Sequence, residues 1–92
     1  MSGGYFDYKQ YEIDRIADQV EQLIIMNDEN EYYRYPSRVV DEFRKGQDLL
    51  RRAAVYAQRI DWLVSGDDGA ERFLERLAED LEELERVNDE PR

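Results

Sequence analysis

The 92-residue chain has no cysteine, no histidine and no threonine, and only three serines. Without cysteine it has no disulfide staple. Without cysteine or histidine it has no structural zinc site of the usual nitrogen–sulfur kind and no haem ligation. Nucleophile schemes that pair serine or cysteine with histidine are excluded for the same reason. No run of about twenty apolar residues is present, so no helix is built to span a bilayer. No glycine-rich phosphate loop occurs, because Ser65–Gly69 (SGDDG) lacks the required lysine and spacing. Asn27–Arg38 fails as a calcium loop, with Tyr32 where glycine is needed and Arg38 where glutamate is needed. The start, MSGGYFDY, has neither a basic n-region nor an apolar h-region, so a cytoplasmic location is expected.

What the chain has is charge, and the charge is divided. Residues 1–31 carry eight acids and two bases, residues 34–64 four acids and seven bases, and residues 67–92 eleven acids and four bases. A basic middle therefore lies between two acidic flanks, within a net charge of −10. Acidic surfaces repel phosphate, which argues against direct nucleic-acid binding and against an anionic membrane, and favours a partner with a basic surface.

Hydrophobic periodicity predicts three helices and no strands, an all-α fold: one domain over residues 1–92, a small three-helix bundle with a long central helix. The first helix is expected over about 8–26, with Asp7 as N-cap, Gln10 completing a capping box, and Ile13, Ile16, Ala17, Val20, Leu23 and Ile24 on one face. Pro36 opens the second, expected over 37–64, whose core face reads Val39, Phe43, Gly46, Leu50, Ala53, Ala57, Ile60 and Val64. Leu49, Val55, Tyr56, Trp62 and Leu63 fall off that face, so this helix is apolar round much of its circumference and wants neighbours on more than one side. Either the flanking helices supply them, or a second copy does. Gly66 suits a C-cap, and Asp68 with Glu71 a capping box, for a third helix over about 70–86 with Phe73, Leu74, Leu77, Leu81 and Leu84 on one face.

Several residues stand out against this background. Asp61 lies on the apolar face of the second helix and needs a partner there, with a tyrosine hydroxyl or an arginine the simplest expectation. Gly46 sits inside a helix, where close packing or a kink would explain it. The tyrosines cluster, with Tyr32, Tyr33 and Tyr35 in the first loop, and together with Trp62 they form a candidate partner-binding patch or pack over the bundle ends. Trp62 marks the bundle edge or a homodimer contact. The acids Glu75, Glu79, Glu82 and Glu83, and the stripe Asp14, Asp18 and Glu21, are either solvated faces or an imitation of nucleic-acid charge. Over residues 67–90 the acids fall about one per 3.3 Å of helix, half the density of duplex DNA at about one per 1.7 Å. A mimic therefore needs the first helix or a second subunit to share the surface. Glu79, Asp80, Glu82 and Glu83 have spacing loosely suited to Mg²⁺ in an all-α nucleotide pyrophosphohydrolase, but most face away from the leucine stripe. No catalytic, metal or cofactor residue is assigned.

Three stretches together, SGGYFDYKQYEIDRIADQVEQLI, RRAAVYAQRIDWLVSGDDG and FLERLAEDLEEL, resemble a group of short acidic proteins of phage and prophage genomes. The resemblance implies a setting and no site residues. Small non-enzymatic phage proteins of this kind are often inhibitors of host defence, including CRISPR effectors and restriction enzymes. The expected function is accordingly an acidic helical protein that inhibits or modulates a host protein. The alternative is a structural or assembly module that forms a helical homodimer.

Overall fold

The computed structural model describes residues 4–30 and 34–89. They form three helices, α1 (Gln10–Glu29), α2 (Ser37–Val64) and α3 (Ala70–Asp89). The fold is all-α, as the periodicity predicts. The bounds of α2 coincide with those expected, α1 starts two residues later and ends three later, and α3 runs three residues further. Both outer helices pack antiparallel on α2, and among the described residues no Cα of α1 comes within 8 Å of one of α3. The bundle is therefore open on one side, and elongated: its principal dimensions are 52, 29 and 17 Å. Its radius of gyration is 16.2 Å, against about 12 Å expected for a compact chain of this length.

The entry to α1 corrects the expected cap. Asp7 does not cap the helix, which begins after Lys9 with no side-chain cap. Residues 4–9 form consecutive turns, in which Asp7 and Tyr8 hold φ of 55° and 66°. That region is costly for side-chain-bearing residues. The segment is held from outside: Ser65 Oγ accepts the Tyr5 N–H at 3.1 Å, and Asp61 Oδ1 accepts the Phe6 N–H at 2.9 Å. Asp61 is buried, at 3% exposure. Its partner is thus backbone rather than the tyrosine or arginine expected, and it ties the start of the chain to the end of α2.

The other punctuation follows the sequence. The Pro36 carbonyl accepts the Val39 and Val40 N–H groups at 2.9 and 3.1 Å, starting α2. Asn27 extends α1, and its Oδ1 accepts the Tyr35 N–H at 2.7 Å, closing the connection to α2. At the far end Gly66, with φ 88°, carries a Schellman cap: its N–H reaches Leu63 O at 3.2 Å and the Asp67 N–H reaches Trp62 O at 2.8 Å. Asp68 turns toward Arg59, 3.8 Å away, instead of capping α3.

The core is small. Among the described residues only Ala17, Ile24 and Val40 are buried apolar side chains, and no large side chain is fully buried. The reason lies in which face of α2 meets which neighbour. The residues of α2 on the α1 side include Gln47, Arg51 and Gln58, while Asp61 and, just past the helix, Ser65 hold the turns before α1. Those on the α3 side include Arg52 and Arg59, which reach Glu85 and Asp80. The expected core face is only partly covered: Val39, Phe43, Gly46, Leu50, Ala57 and Ile60 are half-buried. At 100° per residue Ala53 lies nearly opposite the midpoint between the two contacts, and Ala53 and Val64 are exposed. Gly46 has no intrachain explanation either, because a Cβ built there meets nothing within 4 Å.

Candidate interaction surfaces

The α1–α2 contact is a ladder of polar pairs. Gln10 Nε2 donates to Gln58 Oε1 at 2.8 Å, and Gln58 Nε2 donates to the Tyr11 hydroxyl at 3.3 Å. Arg51 reaches Asp14 at 2.7 Å and Asp18 at 2.8 Å through its two terminal nitrogens. Gln47 Nε2 donates to Glu21. Burial pulls the pKa of the Arg51 guanidinium down, but the hydrogen bonds and charges of Asp14 and Asp18 outweigh this and hold it above its ordinary value. The Asp14, Asp18 and Glu21 stripe is thus engaged by α2, although Asp14 and Asp18 stay exposed.

On the other side of α2, Arg59 Nε donates to Asp80 at 2.6 Å and its guanidinium lies 4.7 Å from the centre of the Trp62 ring. A charged group over an aromatic face gains cation–π attraction. Arg52 pairs with Asp48 at 2.9 Å, which raises its pKa, and lies 3.7 Å from Glu85. Between the three helices an open crevice of about 240 Å³ is lined by Arg51, Val55, Gln58, Trp62 and Leu84 among others. Trp62 therefore sits at the edge of the bundle, beside α3.

The α3 acids Glu75, Glu79, Glu82 and Glu83 are all exposed. Glu79 lies 3.3 Å from Arg76, and Glu82 and Glu83 lie 3.6 and 3.4 Å from Arg86. These are solvated pairs on one helix, worth only ~0.3–0.5 kcal/mol each. Asp80, the remaining member of the Mg²⁺ set, is committed to Arg59. Among the described residues no group of three or more acids is placed to hold a metal ion. No described helix is long and apolar enough to cross a membrane. Tyr35 is exposed and packs edge-on against Phe43, with ring centres 5.6 Å apart. Tyr32 and Tyr33 lie outside the described residues, so the tyrosine patch is represented by Tyr35 alone.

The surface missed in the sequence is apolar. On α2 the polar positions facing α1 fall at 47, 51, 54, 58, 61 and 65, with Ala54 the one apolar member. Gly46, Leu50, Ala53, Ala57, Ile60 and Val64 repeat that spacing one residue earlier. On α1 the contact positions are Gln10, Asp14, Ala17, Glu21 and Ile24, and one residue earlier stand Ile13, Ile16, Val20 and Leu23. A one-residue step turns 100° about each helix. In an antiparallel pair, equal turns in each helix's own sense bring both stripes to the same side of the two-helix layer. Ile13 and Ala57 accordingly line one hollow, together with Tyr5 and Phe6. α3 lies on the opposite side of the layer. The signal was present in the sequence as two overlapping heptad patterns, one polar and one apolar. On α1 the expected Ala17 and Ile24 do turn inward and are buried; on α2 it is the polar pattern, not the expected apolar one, that meets α1. Comparison with family models, with curated proteins and with solved structures finds no match to this chain.

Proposed function

We propose that this chain is a protein-binding module that inhibits or modulates a host protein by presenting acidic α3 to a basic, nucleic-acid-binding surface. The observation that carries this is where the fold spends its arginines. Arg51, Arg52 and Arg59, three of the seven bases that make the middle of the sequence basic, are drawn into contacts between α2 and its neighbours, while Arg34, Arg38, Arg44 and Lys45 stay exposed. On α3 the acids Glu75, Glu79, Glu82 and Glu83 are left exposed. Exposed charge of one sign steers association with the opposite sign and acts mainly on the association rate. The host-defence setting rests on the resemblance to short phage proteins.

The test is kinetic. A protein captured from host lysate on the immobilised chain is purified, and its association with wild type is compared with that of a variant carrying Glu→Lys at 75, 79, 82 and 83. Glutamate and lysine have similar helix propensity, so helicity is retained. Slower association of the variant, a fall in the wild-type rate with salt, and displacement of the chain by duplex DNA are expected. Equal rates with no salt dependence would refute the charge-mimic reading and reduce the acids to a solubilising face.

A further inference from the structure

The geometry points to a second copy of this chain as the occupant of the apolar side of the α1–α2 layer. Stacked on that side, two copies bury both stripes in a four-helix core, with each α3 outermost. This goes beyond the acidic-surface reading, which needs only α3, and it leaves both α3 helices exposed.

Three observations carry it. The first is area. The chain exposes 7153 Å², whereas a compact monomer of its mass exposes about 5,700 Å². The excess, about 1,450 Å², is spread over the whole elongated chain, which is less closed than a compact monomer. The second is what is exposed. Ile16, Leu23 and Val64 are each about half exposed and belong to the two stripes, while Leu49, at 66%, and Tyr56, at 45%, flank the α2 stripe. Half-exposed large apolar residues at heptad spacing on adjacent helices make a continuous patch of the kind that marks an interface. The third is Gly46. It stands in the α2 stripe with open space before it, seven residues before Ala53 and eleven before Ala57. Small residues in line let a second helix approach closely.

A second copy, rather than another protein, satisfies these observations without adding any component. The patch carries charge of both signs at one end, where Asp7 and Lys9 line the hollow beside Ile13 and Ala57, and a chain of this size with three buried apolar residues among those described is in the range where association completes the core.

Sedimentation and thermal melting of the full chain over a hundredfold range of concentration test the proposal. A species of twice 11.1 kDa that dissociates on dilution, with a melting temperature that rises with concentration, is expected. Ala53→Glu places like charges in the shared face, while Ala78→Glu makes the same change at an exposed site on α3. Ala53→Glu weakens association by about a hundredfold or more, and Ala78→Glu by less than about threefold. If Ala53→Glu fails to fold while Ala78→Glu folds, the proposal is supported, because Ala53 is exposed in the single chain. Gly46→Ala gives a test of opposite sign: in a lone helix it stabilises, and against a close partner it weakens association. A wild-type chain that sediments as a monomer throughout, with one melting temperature at all concentrations, overturns the proposal. So does a dimer that Ala53→Glu leaves intact.

Discussion

Replacing Asp61 by alanine should detach the start of the chain from α2. The carboxylate is 3% exposed, and its Oδ1 takes the Phe6 N–H at 2.9 Å. Gly4 packs so closely that a Cβ there would lie 2.7 Å from Oδ2 and 2.9 Å from Oδ1. A hydrogen bond to a charged group contributes ~1.5–3 kcal/mol. Alanine removes the acceptor and leaves the Phe6 N–H without it, so the loss should fall near ~2 kcal/mol. For a domain of this size that lowers the melting temperature by roughly 10 °C. Asp61→Asn keeps an acceptor of similar shape but not its charge, and should lose about half as much.

Thermal melting alone does not separate this from general damage to α2, so amide exchange is the deciding measurement. The amides of Tyr5 and Phe6 bond to Ser65 and Asp61, so they should be protected in the wild type and exchange freely in Asp61→Ala. Amides in the middle of α2 and α3 should change only by the global loss of stability. If Tyr5 and Phe6 exchange equally fast in both proteins, the buried carboxylate does not hold the N-terminal turns, and the account of the left-handed Asp7 and Tyr8 fails with it.

Gly4→Ala and Gly66→Ala should differ in a way that separates backbone from packing. Both glycines have φ near 90°, but a Cβ at Gly4 meets Asp61 while one at Gly66 meets nothing within 4 Å. Gly66→Ala should therefore cost about 1 kcal/mol from backbone conformation alone, and Gly4→Ala measurably more in denaturant titrations; equal losses would show that the Gly4–Asp61 contact is not tight. Arg59→Ala should cost about 2 kcal/mol, below the ~3–5 kcal/mol of a fully buried pair because Asp80 is partly exposed. Trp62 is the only tryptophan, so its fluorescence reports the change directly, and an unaltered emission spectrum would argue against the Arg59 stacking.

The elements were legible because their signals are local. Pro36 and Gly66 bound α2 through chemistry that needs no tertiary context: a fixed φ at one end and a left-handed residue at the other. Three helix ends differed, at Gln10, Glu29 and Asp89, and the first two are tied to contacts outside the helix. Asp61 and Ser65 hold the turns before α1, and Asn27 is recruited by the Tyr35 amide. None of these pairings can be read from spacing. The candidate acids on α3 are exposed, and so are Asp14 and Asp18, but the engagement of that stripe was not legible, because its partner Arg51 sits on a different helix, 37 and 33 residues away.

The larger misreading was of orientation, and it has a physical cause. A heptad pattern identifies a face that avoids water, and it does not say which neighbour covers it. Here α1 and α2 each carry a polar and an apolar pattern one residue apart, and within the single chain the contact is made by the polar one together with the buried Ala17 and Ile24. A polar contact specifies register well, since Arg51 must find both Asp14 and Asp18 and Gln58 must find Gln10, but it contributes little net stability. An apolar face stabilises strongly and specifies register weakly. In the proposed dimer the two tasks are separate: polar pairs select which helices meet and how, and the apolar side, closed by a second copy, supplies the burial that the single chain lacks. Salt and dilution should then act on different parts of the molecule. Salt weakens the partly exposed Arg51 pairs, dilution opens the apolar face, and a melting temperature that responds to only one of them would show that the tasks are not divided in this way.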